Sequence, residues 1–266
     1  RFDGVMRLAF CVDGDGYRRQ VGVGLRQDHD GLVRGEVIGD ADLDAVRNQA
    51  ARVLSLDHDA REFIALGDRD PVMARLLAVA PGLRPPLFYS PYEAAVWSVL
   101  SARRPAKQMA EVRNRLSEAH GNVFDVAGEQ VAVLPTPKQL LAVTSFPGIP
   151  EIKLRRFHGI AEAALRGDLD CARLRAMPPG EAMLDLQRLE GIGPFYSELI
   201  VVRATGHADV LPMNEPKALA LAGELYGLGH DATPEEMRVL GERWRPFRTW
   251  AVVLLRAAGP RLSREG

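Results

Sequence analysis

From residue 188 to 194 the chain reads Arg188-Leu189-Glu190-Gly191-Ile192-Gly193-Pro194, set between two stretches of helical periodicity. Glycines at i and i+2 permit a tight hairpin whose backbone N–H groups point outward at the start of the next helix. Aligned peptide dipoles make such a helix start attractive to an anion. A phosphate can also approach closely, because glycine carries no Cβ. The same residues suit an ordinary helix–turn–helix corner, and the heptapeptide alone leaves both readings open. A similar stretch, Ser145-Phe146-Pro147-Gly148-Ile149-Pro150, precedes an earlier helix.

The other reactive residue types form no constellation. His29, His58, His120, His158, His207 and His230 never pair at i,i+3 or i,i+4, which argues against a zinc site. Cys11 and Cys171 are the only cysteines. Two thiols cannot ligate a four-cysteine iron–sulfur cluster or build a disulfide framework, and a reducing cytoplasm is the simplest compartment. The glycines from Gly4 to Gly24 open no helix and so offer no phosphate loop. Arg155-Arg156 reads first as a solvated basic face and second as a DNA contact.

The elements that must position these residues follow from composition and periodicity. With 266 residues, 47% hydrophobic and 26% charged, the chain suits one large or two modest domains and is too apolar for disorder. No apolar run approaches bilayer-spanning length, and the N-terminus lacks a signal-peptide layout. The start at Arg1 reads as a trimmed chain, which leaves room for a lost targeting segment. A net charge of −1 lacks the strongly basic footprint usual for nucleic-acid binding. Among the 34 basic residues only Lys107, Lys138, Lys153 and Lys217 are lysines. That arginine preference fits phosphate recognition, and a biased genome composition would produce it equally well.

Strand-like runs at 5–12, 20–26 and 32–38, separated by Asp/Gly turns, predict an antiparallel meander. A stripe of Leu43, Val46, Ala50, Val53 and Leu54 over 40–56 predicts a helix covering one sheet face. This α+β unit, residues 1–58, reads as structural. Residues 59–266 read as an all-helical domain of two lobes with a cleft. Its helices are expected at 71–79, 91–102, 106–119, 137–144, 151–166, 180–188, 195–205, 216–226, 234–244 and 247–258, many opened by proline.

In order and spacing, several segments together resemble the helix–hairpin–helix DNA glycosylase superfamily, in its 3-methyladenine DNA glycosylase II (AlkA-like) branch. They are Pro81-Gly82-Leu83-Arg84, Ser90-Pro91-Tyr92-Glu93-Ala94, Leu134-Pro135-Thr136-Pro137 and Ile152-Lys153-Leu154-Arg155-Arg156. The hairpin, Asp209-Val210-Leu211-Pro212 and the stretch Glu242-Arg243-Trp244-Arg245-Pro246-Phe247-Arg248-Thr249-Trp250-Ala251 complete the set. The resemblance implies a monofunctional glycosylase of base excision repair. Such an enzyme flips an alkylated purine, 3-methyladenine-like, from double-stranded DNA and hydrolyses its N-glycosidic bond. It needs a π-rich pocket and an anionic group near C1′. Alternatives are a damaged-DNA-binding protein that has lost catalysis, or a glycosylase for a deaminated or oxidised base.

The branch places its catalytic aspartate just after the Leu-Pro that follows the hairpin helix. Here the segment reads Leu211-Pro212-Met213-Asn214-Glu215-Pro216-Lys217, so Asn214 falls at that position and Glu215 follows it. A carboxamide can orient water but carries no charge. Glu215, shifted by one residue and assisted by Asn214, is the expected catalytic carboxylate; its alternative role is a helix-start carboxylate beside Pro216. Where relatives insert a glutamine and an apolar wedge, this chain has Ala102, Arg103 and Arg104, with arginine as either plug or solvated helix end.

The resemblance also implies DNA contacts at Gly191, Ile192, Gly193, Phe195 and Tyr196. The implied base pocket includes Phe195, Tyr92, Trp97 and Trp250, with Arg256 where the branch can place a tryptophan. Bifunctional relatives use a lysine where this chain has Phe195, so no lyase activity is expected. No cofactor is required, although relatives suggest a sodium or potassium ion on the backbone carbonyls of Gln187, Leu189 and Ile192. A cytoplasmic monomer, nucleoid-associated if bacterial, acting on damaged duplex DNA without membrane association, is the resulting expectation.

Overall fold

The computed structural model describes residues 2–213 and 215–262. Strands β1 (Met6–Cys11), β2 (Gln20–Gln27) and β3 (Val33–Ile38) pair antiparallel in the order β1-β2-β3, with Phe10 opposite Val21 and Val23 opposite Val37. Helix α1 (Leu43–Val53) starts where the Asp42 carboxylate accepts the Ala45 N–H at 2.8 Å. It buries Val46 and Ala50 against Leu8, Phe10, Val21 and Val23. Leu43, assigned to that buried stripe from the sequence, instead faces solvent.

The remaining elements build two lobes. In chain order they are α2 (Ala60–Ile64), α3 (Pro71–Val79), α4 (Pro91–Ser101) and α5 (Ala106–His120), then β4 (Val123–Val126) and β5 (Glu129–Ala132). Next come α6 (Pro137–Leu141), α7 (Glu151–Arg166), α8 (Cys171–Ala176), α9 (Pro179–Leu186) and α10 (Pro194–Ala204). The last three are α11 (Pro216–Leu225), α12 (Pro234–Glu242) and α13 (Arg248–Leu262). One core joins Tyr92, Leu100, Leu116, Phe157 and Ile200, so it binds α4 to α10. The other joins Phe63 and Met73 to Trp244, Trp250 and Leu254, so the chain returns at α11–α13 to pack on α3.

The antiparallel hairpin β4–β5 corrects the expectation that residues from 59 onward are all-helical. Its signal was a short alternating run across Ala127-Gly128, both residues having positive φ (49° and 81°). The hairpin lies against the N-terminal sheet at glycines. A Cβ on Gly22 would stand 2.7 Å from Val126 Cγ2 and 2.8 Å from Phe124 Cβ, so this strand position admits no larger residue. The short helices α2 and α8 also escaped the periodicity, each being under two turns long.

Two buried polar contacts fasten the sheet to the helical body. Arg52 of α1 donates to Asp13 Oδ2 at 2.6 Å, to the Tyr89 carbonyl at 2.8 Å and to the Ala204 carbonyl at the end of α10. Glu93 of α4 accepts the Cys11 N–H at 3.3 Å. Desolvation pushes the Glu93 carboxyl up from 4.5 to about 8, against smaller opposing effects from the Cys11 N–H and Arg113. The folded protein therefore keeps this proton over a range in which the unfolded chain releases it. This group's contribution to stability falls as pH rises from about 4.5 to about 8. Glu93→Gln cannot ionise and should lose roughly 3–5 kcal/mol less than wild type between pH 5 and pH 9 in urea unfolding. Equal losses in the two proteins would refute the assignment.

Candidate active site

The glycine hairpin lies between α9 and α10. Ile192 donates its N–H to the Leu189 carbonyl at 3.0 Å and buries its side chain in the first core, which pins the turn to the lobe. Gly191 has φ +94°, and a Cβ there would stand 3.0 Å from Arg156 Cδ and 3.3 Å from Val99 Cγ2. Glycine is thus required at 191 by both conformation and space. Gly193 is different: it is extended, caps α10, and a Cβ on it would meet nothing within 4 Å. The outer face of the hairpin is open at the start of an 11-residue helix.

Two neighbours buttress this face. Arg155 and Arg156 of α7 donate to Glu190 at 3.3 Å and 3.2 Å, which favours neither sequence reading alone: Arg155 is exposed and Arg156 half-buried, and both are engaged with the hairpin. Lys153, one turn earlier, donates to the Leu100 and Ala102 carbonyls at 2.6 Å and 3.2 Å and so closes the end of α4. Desolvation, with smaller contributions from Arg104 and Arg156, lowers the Lys153 pKa. The chain leaving that cap has Arg103 in the left-handed region (φ +57°), with Arg103 and Arg104 both exposed.

Along the next two turns of α10 a cavity of about 280 Å³ opens between the lobes. Phe195, Glu198, Leu199, Val202 and Arg203 form the α10 wall, and Val252, Val253 and Arg256 of α13 form the opposite one. Pro212 and Glu215, from the segment leading into α11, complete it. Glu198 is buried and accepts the Met213 N–H at 3.0 Å, so α10 itself holds the segment that carries Glu215. Glu215 stands at the cap position of α11, and its carboxylate pairs with Arg256. The two side chains remain 27% and 37% exposed, respectively. Arg203 donates to the Pro86 carbonyl at 2.6 Å, while its Nε–H is buried with no partner among the described residues. Burial, and secondarily the charge of Arg256, lower the Arg203 pKa.

No protein-family model matches the chain. It is 29% identical over 218 residues to the "Probable bifunctional transcriptional activator/DNA repair enzyme AlkA" of Mycobacterium tuberculosis, covering 79% of this chain and 42% of that protein. It is 28% identical over 188 residues to the "DNA-3-methyladenine glycosylase 2" of Escherichia coli, covering 68% of this chain and 62% of that protein. The chain thus spans less than two thirds of either relative. Among solved structures, the 3-methyladenine DNA-glycosylase of Archaeoglobus fulgidus superposes with a TM-score of 0.80 at 21% identity, over 98% of this chain and 89% of that one. Its sequence similarity is thus a distant one to AlkA-like DNA glycosylases, at 22–29% identity, and its fold is that of a 3-methyladenine DNA-glycosylase.

As in the fold of its glycosylase relative, a three-stranded sheet precedes the largely helical body. Of the residues assigned to the glycosylase site from sequence, Glu215, Phe195 and Arg256 line the cavity. Tyr196 does not, and meets Phe195 edge-on at 5.2 Å. Three aromatics assigned to the base pocket lie elsewhere. Tyr92 is fully buried, stacks on Tyr17 at 5.4 Å and donates its hydroxyl to the Pro135 carbonyl. Trp97 packs against the first core under the Arg113 guanidinium. Trp250 belongs to the second core, between Phe63, His58 and Phe247. Each rings an apolar interior, which is where large aromatics bury most area.

Asn214 lies outside the described residues. Glu198 and Arg203 were missed by sequence reading, although both are charged residues on the stripe 195, 198, 199, 202, 203 of a helix with mainly apolar neighbours. Among the described residues, no group of three metal-ligating side chains occurs and no helix is long and apolar enough to cross a membrane.

Proposed function

We propose that the protein is a monofunctional DNA glycosylase that flips a damaged purine from duplex DNA into the α10–α13 cavity and hydrolyses its N-glycosidic bond. One juxtaposition supports this reading. The open hairpin face and the cavity that Glu215 lines belong to the same helix, one at its first residue and the other along its next turns. A DNA phosphate held by N–H groups at Gly193 and the start of α10 would place the adjoining nucleotide at the mouth of the cavity. The exposed Arg103–Arg104 loop is assigned to the gap that the flipped base leaves.

In the reaction the bond between C1′ and the base nitrogen breaks, and its electron pair leaves with the base. Positive charge developing on the sugar is stabilised by the Glu215 carboxylate. The oxygen of a water adds to C1′, and its proton passes to Glu215 or solvent. Alkylated purines such as 3-methyladenine are the reference substrates, because their positive charge already makes them good leaving groups. Asn214 is assigned to orient the water.

Among the described residues no lysine lines the cavity. The expected product from methylated duplex is therefore free base plus an abasic strand that stays intact until alkali is added. Strand cleavage before alkali, trapped by borohydride, would contradict the monofunctional reading. A sodium or potassium ion on the carbonyls of Gln187, Leu189 and Ile192 belongs to the same proposal. Leu189 already accepts one hydrogen bond there, and its second lone pair can face an ion. The Glu215–Arg256 pair favours a second reading, because a carboxylate neutralised by a guanidinium offers less to a sugar cation. In that case the chain binds damaged duplex as a monomer without releasing base.

A further inference from the structure

Resting on the duplex-binding face assigned to the hairpin above, we propose that Arg155 and Arg156 form a second phosphate clamp beside it, and that Glu190 holds the two guanidinium groups in place until DNA displaces it. The partner is the sugar–phosphate backbone of the same strand, at a phosphate adjoining the one that meets the N–H groups at Gly193.

The stem of Arg156 lies across the hairpin. A Cβ on Gly191 would stand 3.0 Å from Arg156 Cδ and 3.3 Å from its Nε, so the first glycine makes room for this side chain. From there Arg156 donates its Nε–H to Glu190 Oε1 at 3.2 Å, and Arg155 donates from Nη2 to the same oxygen at 3.3 Å. Two cations share one carboxylate, which leaves the cluster positive. Each guanidinium uses one of its several N–H donors here. Among the described residues neither makes another hydrogen bond or ion pair.

The Glu190 side chain is 54% exposed, beside Arg155 at 67% and Arg156 at 31%. Ion pairs this open and this long contribute little, so exchanging the carboxylate for another anion costs little. A phosphate can accept the planar arginine fork through two parallel hydrogen bonds, and its neutralisation releases counterions condensed on the duplex. Both effects favour the exchange. Until then Glu190 keeps two long side chains aimed at the hairpin, which lowers the cost of ordering them on DNA. The basic surface also continues beyond the pair. Arg104 and Arg156 both lie near enough to Lys153 to depress its pKa, after the larger effect of burial. A cationic track therefore runs from the hairpin, past the start of α7, to the Arg103–Arg104 loop, as a contact to one strand's backbone requires.

The test uses the intact chain and fluorescence anisotropy on a duplex with an abasic site, at several salt concentrations. In Arg155→Gln/Arg156→Gln, affinity should fall about tenfold or more, and the slope of log affinity against log salt should shrink by about one to two. Glu190→Gln should instead tighten binding by about twofold to fivefold, because the arginines no longer have to leave a carboxylate. Side chains that only brace the hairpin behave differently: the slope stays unmoved when the arginines are replaced, and Glu190→Gln weakens binding. Either of those results overturns the proposal and leaves the glycosylase reading intact, since that is read separately from base released by wild type. No duplex binding by wild type overturns both. Thermal unfolding reports the fold; should the double variant fail to fold, Arg155→Gln alone, the more exposed of the two, should shrink the slope by about one, and an unmoved slope there is equally decisive.

Discussion

Glu215→Gln is expected to lower single-turnover base release by about a hundredfold to a thousandfold, the range seen when one preorganised electrostatic group is removed from a transition-state site. The substitution keeps the size of the side chain and its place at the α11 cap, and removes only the charge. It also unpairs Arg256, which then points an uncompensated guanidinium at the sugar, so two effects add in the same direction. Duplex affinity should change little or rise slightly, because a negative charge near the DNA backbone has been lost. A rate within a few-fold of wild type would mean that the carboxylate only stabilises the start of α11.

Gly193→Glu should weaken duplex binding by about a hundredfold, with folding retained. The structural grounds are unusual for a glycine: its backbone is extended, and a Cβ meets nothing, so a side chain fits the folded protein. What it would obstruct lies outside, where an added carboxylate would repel a phosphate and cover the N–H groups at the head of α10. Fluorescence anisotropy on a duplex with an abasic site reads the affinity, and thermal unfolding reads the fold. Gly191 would be a poor test, because its positive φ and the nearby Arg156 and Val99 make any substitution there a folding defect. Unchanged affinity in Gly193→Glu would remove the phosphate from the hairpin.

These two residues show what the sequence made legible. The hairpin was readable because glycine spacing reports a backbone requirement directly; Glu215 was singled out only by the resemblance, which implies a carboxylate just after Leu211-Pro212. The meander and most helices were legible for a similar reason, through alternation, helical periodicity and proline starts. The lining of the cavity was not. Tyr92, Trp97 and Trp250 have the chemistry of a stacking site, but pocket membership depends on which face of a helix looks toward the other lobe. That is decided by how α10 and α13, some fifty residues apart, come to face one another across the cavity, which no local period contains. The same long-range packing turned Arg256 toward Glu215 and Arg203 toward the Pro86 carbonyl. The hairpin β4–β5 was lost to a different cause: its strands are four residues each and rely on Gly22 for a surface to lie on.

Near neutrality of the whole chain, a formal charge of −1, is compatible with duplex binding when phosphates are held by backbone N–H groups and a few arginines on one face. With asparagine at 214 and glutamate at 215, this chain is proposed to be a working glycosylase. Quantifying free base released from a methylated duplex by wild type beside Asn214→Asp tests it most directly. Wild type is expected to release base, and the substitution to change the rate only modestly. No release by wild type, with release appearing in Asn214→Asp, would contradict it and leave a protein that binds damaged DNA without cutting its glycosidic bonds.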